Sequence, residues 1–300
     1  MKKLLSYLFP FILFSLSACG NYEKLKMDFS LSPHEKYIGS LKKADLLETA
    51  IGKSWIEASE KALADALPVK PPYKDSGTFN QYGIDAKGYR IELKRGQKLL
   101  TSVSKDADSV ILFMDLFRIE ENKSTQIQFA KDSLFIEKEI FVPGTYVLRL
   151  QPELLAHTKY SVSIKIIPTF AFPVAGKDSR AVQSFMGAKR DGGKRKHEGI
   201  DIFARQGTPV VAATDGVVRR VGISKLGGNY IFLRDTERNI SLYYAHLKDR
   251  FVTEGQQVSR YDTLGTVGNT GNARFTPPHL HFGVYEYGAI DPYPFVNTNP

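Results

Sequence analysis

"PPHLHFGVY", Pro277 to Tyr285, sets two histidines two positions apart in an apolar run. In an extended strand, residues two apart point to the same face. His279 and His281 can then address one point while Leu280 packs behind them. A strand carrying H-x-H makes the last part of the chain a β domain with a polar site on one face. The residues around it agree. From Phe170 onward the chain is rich in glycine and β-branched residues. "GTPVVAATDGVV" (Gly207 to Val218) holds two turn signals around a short apolar strand. "NYIFLRD" and "ISLYYAHL" read as a strand pair joined by Thr236 to Asn239. No long helical period interrupts them, so about 130 residues form one all-β domain.

Four of the six histidines fall in this domain: His197, His246, His279 and His281. His246 ends the apolar strand "SLYYA", where a side chain can face a cleft at the rim of a sheet. His197 begins a second pairing, "KHEGID" (Lys196 to Asp201), with Asp201 four positions on. Alone, H-x-x-x-D is a weak pattern. A helical H-E-x-x-H zinc motif is excluded, because a histidine would have to replace Asp201 and Gly199 would weaken the helix. Taken together, four histidines and an aspartate fit zinc, which in catalytic sites keeps three protein ligands and one open position. No cysteine lies in the domain, so a Cys-rich structural site is excluded. Two histidines and one aspartate would leave a net charge of about +1, enough to lower the pKa of bound water. The remaining histidines are suited to proton transfer or oxyanion stabilisation.

"SFMGAKRDGGKRKHEGIDIFARQGTPVVAATDGVV", "YYAHL" and "VGNTGNARFTPPHLHFGVYEYGAIDPYPFV" closely resemble the LytM/lysostaphin-type zinc metallopeptidases that cut peptidoglycan cross-links. The resemblance covers about residues 170–300. It implies a compact antiparallel β domain with the site in a groove. It also implies one Zn2+ held by His197, Asp201 and His281. His279 would be the general base, with His246 orienting water or stabilising the oxyanion. One departure is visible: many relatives have Thr-Gly-Pro before H-x-H, whereas this chain has Thr276-Pro277-Pro278, which bears on substrate fit more than on metal binding.

The rest of the chain reads as mainly β with one helical segment. Period-two runs such as Tyr146, Leu148, Leu150 and Tyr160, Val162, Ile164, Ile166 predict an antiparallel sandwich over 76–168, with one face of each sheet wet. "PGTYVLRL" and "KYSVSIKI" resemble the bacterial pre-peptidase C-terminal domain. His157 is read as a solvated residue without a catalytic role. Residues 19–75 read as a tether holding one helix over about 45–67, capped by Asp45 and stopped by Pro68, with "PVKPPY" as a semi-rigid linker.

Residues 1–18 read as a secretory signal: Lys2 and Lys3 precede an apolar stretch too short to span a membrane. Leu16-Ser17-Ala18-Cys19 resembles a bacterial lipobox, implying lipidation at Cys19. As the only cysteine, Cys19 also excludes an internal disulfide. The expected location is the cell envelope, as a membrane-anchored lipoprotein, on the periplasmic face of the outer membrane in a Gram-negative cell. A net charge of +9 favours anionic partners. The basic residues are dispersed, with no interleaved aromatics, so nucleic acid is not expected. Expected partners are peptidoglycan peptide stems and, through the anchor, the membrane; protein partners cannot be named. The expected function is a zinc metalloendopeptidase of cell-wall remodelling. The alternative is a non-catalytic LytM-like regulator that activates a separate amidase. Such regulators typically lose metal or catalytic positions, and all five are present here.

Overall fold

The computed structural model describes residues 31–121, 123–131 and 133–298. The signal and lipobox, with Cys19, lie outside the described residues. The chain begins with two helices, α1 (Pro33–Lys43) and α2 (Ala50–Ala64). Strands β1 (Leu67–Pro68), β2 (Tyr73–Phe79), β3 (Lys87–Leu93), β4 (Gln97–Lys105), β5 (Leu112–Glu120), β6 (Lys123–Phe129), β7 (Phe135–Glu139), β8 (Gly144–Pro152) and β9 (Thr158–Pro168) follow. They form a five-stranded sheet, β1-β3-β8-β5-β6, and a four-stranded sheet, β2-β9-β4-β7. Tyr146, Leu148 and Leu150 of the first and Tyr160, Val162 and Ile164 of the second meet in one apolar core. All pairings are antiparallel except β1 with β3.

Two expectations need correction. Residues 31–67 are not a tether with a single helix over 45–67. Ser32 and Glu35 form a reciprocal capping box that starts α1, and Tyr37, Ile38 and Leu41 give it an apolar stripe. Asp45 caps nothing; it has φ +57° in the turn between the helices. Thr49 caps α2 instead. The chain leaves the helix at Ala64, ahead of Pro68, because Leu67–Pro68 pairs with β3. Nor is the outer face of the larger sheet wet. Phe113, Asp115, Arg149 and Gln151 point away from the core and are buried under the two helices. Arg149 pairs with Asp115 at 2.7 Å and reaches Ser59 of α2 at 2.5 Å. The indole of Trp55 donates to the Pro152 carbonyl at 2.8 Å. Gly88 of β3 lies against the Ala62 carbonyl, where any side chain would clash, so the helix can sit directly on the sheet.

After Phe170 come β10 (Val182–Ser184), β11 (Lys189–Arg190), β12 (Arg195–Lys196), β13 (Ile200–Phe203), β14 (Pro209–Val211), β15 (Gly216–Ser224) and β16 (Gly228–Asp235). Then follow β17 (Ile240–Leu247), β18 (Gln257–Val258), β19 (Thr263–Thr266), β20 (His279–Tyr285), β21 (Ala289–Ile290) and a short helix, α3 (Tyr293–Val296). The main sheet runs β10-β13-β20-β17-β16-β15-β18, antiparallel throughout, with β21 on β20. The β14–β19 pair adds Val210 and Leu264 to the core beneath it. This is a mainly β chain.

The two β parts meet at one end of β17 and β20. Arg238, in the β16–β17 turn, forms a two-pronged pair with Glu139 at 2.7 and 3.0 Å and also holds Asp235 at 2.9 Å. Arg95 pairs with Glu286 at 2.9 Å. Thr169 bonds the Gly96 carbonyl, and Phe170 stacks on Phe295.

Candidate metal centre and groove

Strand register, not proximity in sequence, assembles the site. Asp201 on β13 lies directly opposite His281 on β20, and His281 lies opposite Ala245 on β17. His197 precedes β13. Its Nε2 is 2.9 Å from His281 Nδ1 and 3.0 Å from Asp201 Oδ1, and His281 Nδ1 is 3.0 Å from the same oxygen. Three donor atoms therefore crowd one point. Ligands around a tetrahedral ion with bonds of 2.0–2.1 Å are about 3.3 Å apart, close to this spacing. His197 Nδ1 faces the carbonyl of Phe185 at 3.0 Å. A carbonyl can only accept, so Nδ1 carries the proton and Nε2 presents its lone pair to the cluster. Two lone-pair nitrogens and a carboxylate aimed at one point form a donor set suited to a cation. These residues could hold a metal ion.

Electrostatics point the same way. Burial alone would raise the Asp201 carboxyl. The adjacent His197 and His281 imidazoles outweigh it and hold the carboxyl far below the ordinary carboxylate range. Burial pushes His281 down. Gly199 explains the middle of "KHEGID". A Cβ there would lie 2.5 Å from the Phe282 carbonyl and 2.8 Å from His281 Cε1, so only glycine lets the imidazole take its place.

His246 and His279 complete the wall. Their ring centroids are 5.0 Å apart, and His246 is 5.9 Å from His281. His279 Nδ1 faces the Pro277 carbonyl at 2.8 Å, and His246 Nδ1 faces the Thr270 carbonyl at 2.9 Å. By the same argument both carry the proton on Nδ1 and leave Nε2 as the basic atom. Burial, then the nearby His279 and His281, push His246 down to about 4. His246 is where strand geometry departs from regularity. In strict alternation it would follow Tyr244 into the core. Instead the pairing with β16 shifts between Asn229 and Ile231, and His246 adopts φ +62°. This bulge turns His246 toward the groove and leaves Leu247, the next residue, in the core.

The five residues line one groove of about 460 Å³ together with Arg190, Arg195, Glu198, Tyr243, Asn272, Thr276 and Tyr285. Among the described residues, none before Gln183 contributes to it. Sequence reading missed Arg190, whose Nη2 lies 2.6 Å from Asp201 Oδ2 and 2.6 Å from Ser184 Oγ. The cation-dense "KRDGGKRK" around a Gly-Gly turn was the available signal. His157, expected to be solvated, lies outside this groove.

Residues 195–292 match peptidase family M23. The L-Ala--D-Glu endopeptidase of Bacillus subtilis (strain 168) is 38% identical over 141 residues, 43% of this chain and 43% of that protein. The peptidoglycan DD-endopeptidase ShyC of Vibrio cholerae serotype O1 is 39% identical over 116 residues, 37% of this chain and 26% of that protein. The chain thus spans less than half the length of these relatives. The catalytic domain of the antimicrobial peptidase lysostaphin from Staphylococcus simulans aligns at 33% identity, covering 38% of this chain and 90% of that one, with a TM-score of 0.35.

Proposed function

We infer from the peptidase M23 domain of LytM/lysostaphin type that this chain carries that it is a zinc metalloendopeptidase hydrolysing peptide cross-links of peptidoglycan. The observation that carries the reading is the convergence of His197 Nε2, Asp201 Oδ1 and His281 Nδ1 beside two further histidines whose basic nitrogens remain available. One Zn2+ held by His197, Asp201 and His281 would supply Lewis acidity toward the scissile carbonyl and the attacking water. The chain's own residues do the rest. His279, fixed by the Pro277 carbonyl, accepts a proton at Nε2 from water and returns it to the departing amine. His246, neutral at physiological pH, offers Nε2 on the neighbouring wall and orients water there. The relatives described as endopeptidases support peptidoglycan hydrolysis as the reaction, and the DD-endopeptidase among them favours the cross-link as its target. The Leu16-Ser17-Ala18-Cys19 pattern supports attachment to a membrane of the cell envelope through lipidated Cys19.

The test is incubation with purified peptidoglycan, reading the released muropeptides by mass. Cross-linked dimers should disappear with wild type, survive after chelation, and return to being cut when zinc is restored. Metal analysis should give one zinc per chain, and none in His281→Ala. His279→Ala should keep the metal and lose about 10²–10⁴-fold in rate. A metal-free wild type that leaves every cross-link intact would replace this reading with a non-catalytic regulator.

A further inference from the structure

The hairpin β11–β12 breaks a rule of sheet chemistry. Its register sets Arg190 opposite Arg195 and Lys189 opposite Lys196, with Gly192 and Gly193 at positive φ in the turn. Like charges directly opposite each other oppose pairing, and here both cross-strand pairs are cationic. Such conflicts between local chemistry and fold concentrate at functional sites. The two pairs face different ways. Arg190 and Arg195 line the groove, whereas Lys189 and Lys196 are exposed and do not. Arg190 is committed to Asp201 and Ser184. Arg195 stands beside it, half-buried, near Tyr285 and on the same wall as Glu198. A guanidinium has five donors in a planar fork that matches a carboxylate, so a protein partner does not exhaust it.

We propose that Arg195, held at the groove by its register opposite Arg190, is a specificity-determining residue that binds a free carboxylate of the substrate peptide. The substrate class follows: cross-linked stems whose residue near the scissile bond keeps an ionised carboxyl, in preference to amidated stems or uncharged glycine bridges. The inference rests on the endopeptidase reading for its substrate but concerns binding, which can be measured without turnover.

The probes are two purified muropeptide dimers of one sequence, with that carboxyl free or amidated. Affinity is measured by calorimetry on zinc-loaded protein carrying His279→Ala, so that neither is consumed. The free-carboxylate dimer should bind at least about 10-fold more tightly, the scale of a charged hydrogen bond. Adding Arg195→Gln should bring the ratio to about one. Arg195→Lys should keep part of the preference, and Lys196→Gln, one residue away on the opposite face, should leave it intact. In otherwise wild-type protein, Arg195→Gln should raise KM for the free-carboxylate dimer with kcat little changed. Equal binding of the two dimers, or a preference that survives Arg195→Gln, overturns the proposal. If the binding preference behaves as expected while neither dimer is ever cut, the endopeptidase reading falls and the assignment of Arg195 stands.

Discussion

Gly199 shows how a single hydrogen can be a site determinant. It ligates nothing, yet its missing Cβ is the space that His281 occupies. Gly199→Ala should therefore displace the imidazole and weaken zinc retention at least about 10-fold, the scale seen when residues supporting metal ligands are changed. Zinc competition with a chromophoric chelator measures this, and unchanged retention would contradict the packing argument. Much of the site was legible at this scale because period-two geometry makes H-x-H a statement about direction. Nothing in the sequence paired Asp201 with His281; the family resemblance did, and the structure supplies the reason in their shared register. Arg190 was not legible. Its role depends on a hairpin folding back beside β13, and a basic cluster on paper looks like a solvated loop.

Among the elements, α1 was the one overlooked. Its eleven residues are too short to hold together alone, so its stability is tertiary and leaves little periodic trace. What fixes it is a buried histidine. His34 stacks on Trp55 at 4.7 Å and donates from Nε2 to Gln151 at 2.7 Å. Burial, then the Arg149 charge, push it down to about 4, against roughly 6.5 in an unfolded chain. Between those values the unfolded chain takes up a proton that the folded chain refuses. Stability should thus be unaffected by His34 above pH 6.5 and fall as pH drops toward 4, by up to about 1.4 kcal/mol per pH unit. Urea midpoints at pH 7 and 5 test it: His34→Gln should be less sensitive to the drop than wild type, and equal sensitivity would assign the effect to other groups. The bulge at His246 is the second feature beyond sequence reading. Strict alternation sends that residue to the core, and only the shifted register with β16 shows why it turns out.

At the scale of the molecule, the contact between the two β parts is held by partly buried charge pairs. Arg238 with Glu139 is the main one, two-pronged and about 15% exposed on each side. A double-mutant cycle with Arg238→Ala and Glu139→Ala should give a coupling of about 0.5–3 kcal/mol in unfolding free energy. Additive losses would mean that the pair does not join the two parts. The same arrangement answers whether the first sandwich-like part shields the groove. It docks at the Ser241/Tyr285 end of β17 and β20, whereas the His197, Asp201 and His281 cluster lies at the Ala245/His281 end; the groove runs as far as Tyr285, and no described residue before Gln183 lines it. Sequence could predict strands in both parts, but not which ends would touch, because that depends on two salt bridges between residues far apart in the chain.

β20 itself thus has a working end and a mounting end. From His281 to Glu286 the backbone advances five residues, about 17 Å. That distance separates the metal cluster from the contact with the first part, and Tyr285 walls the groove between them. On the proposed function, this separation would let a cross-link embedded in a mesh many times larger than the protein reach the cluster while the first part stays aside.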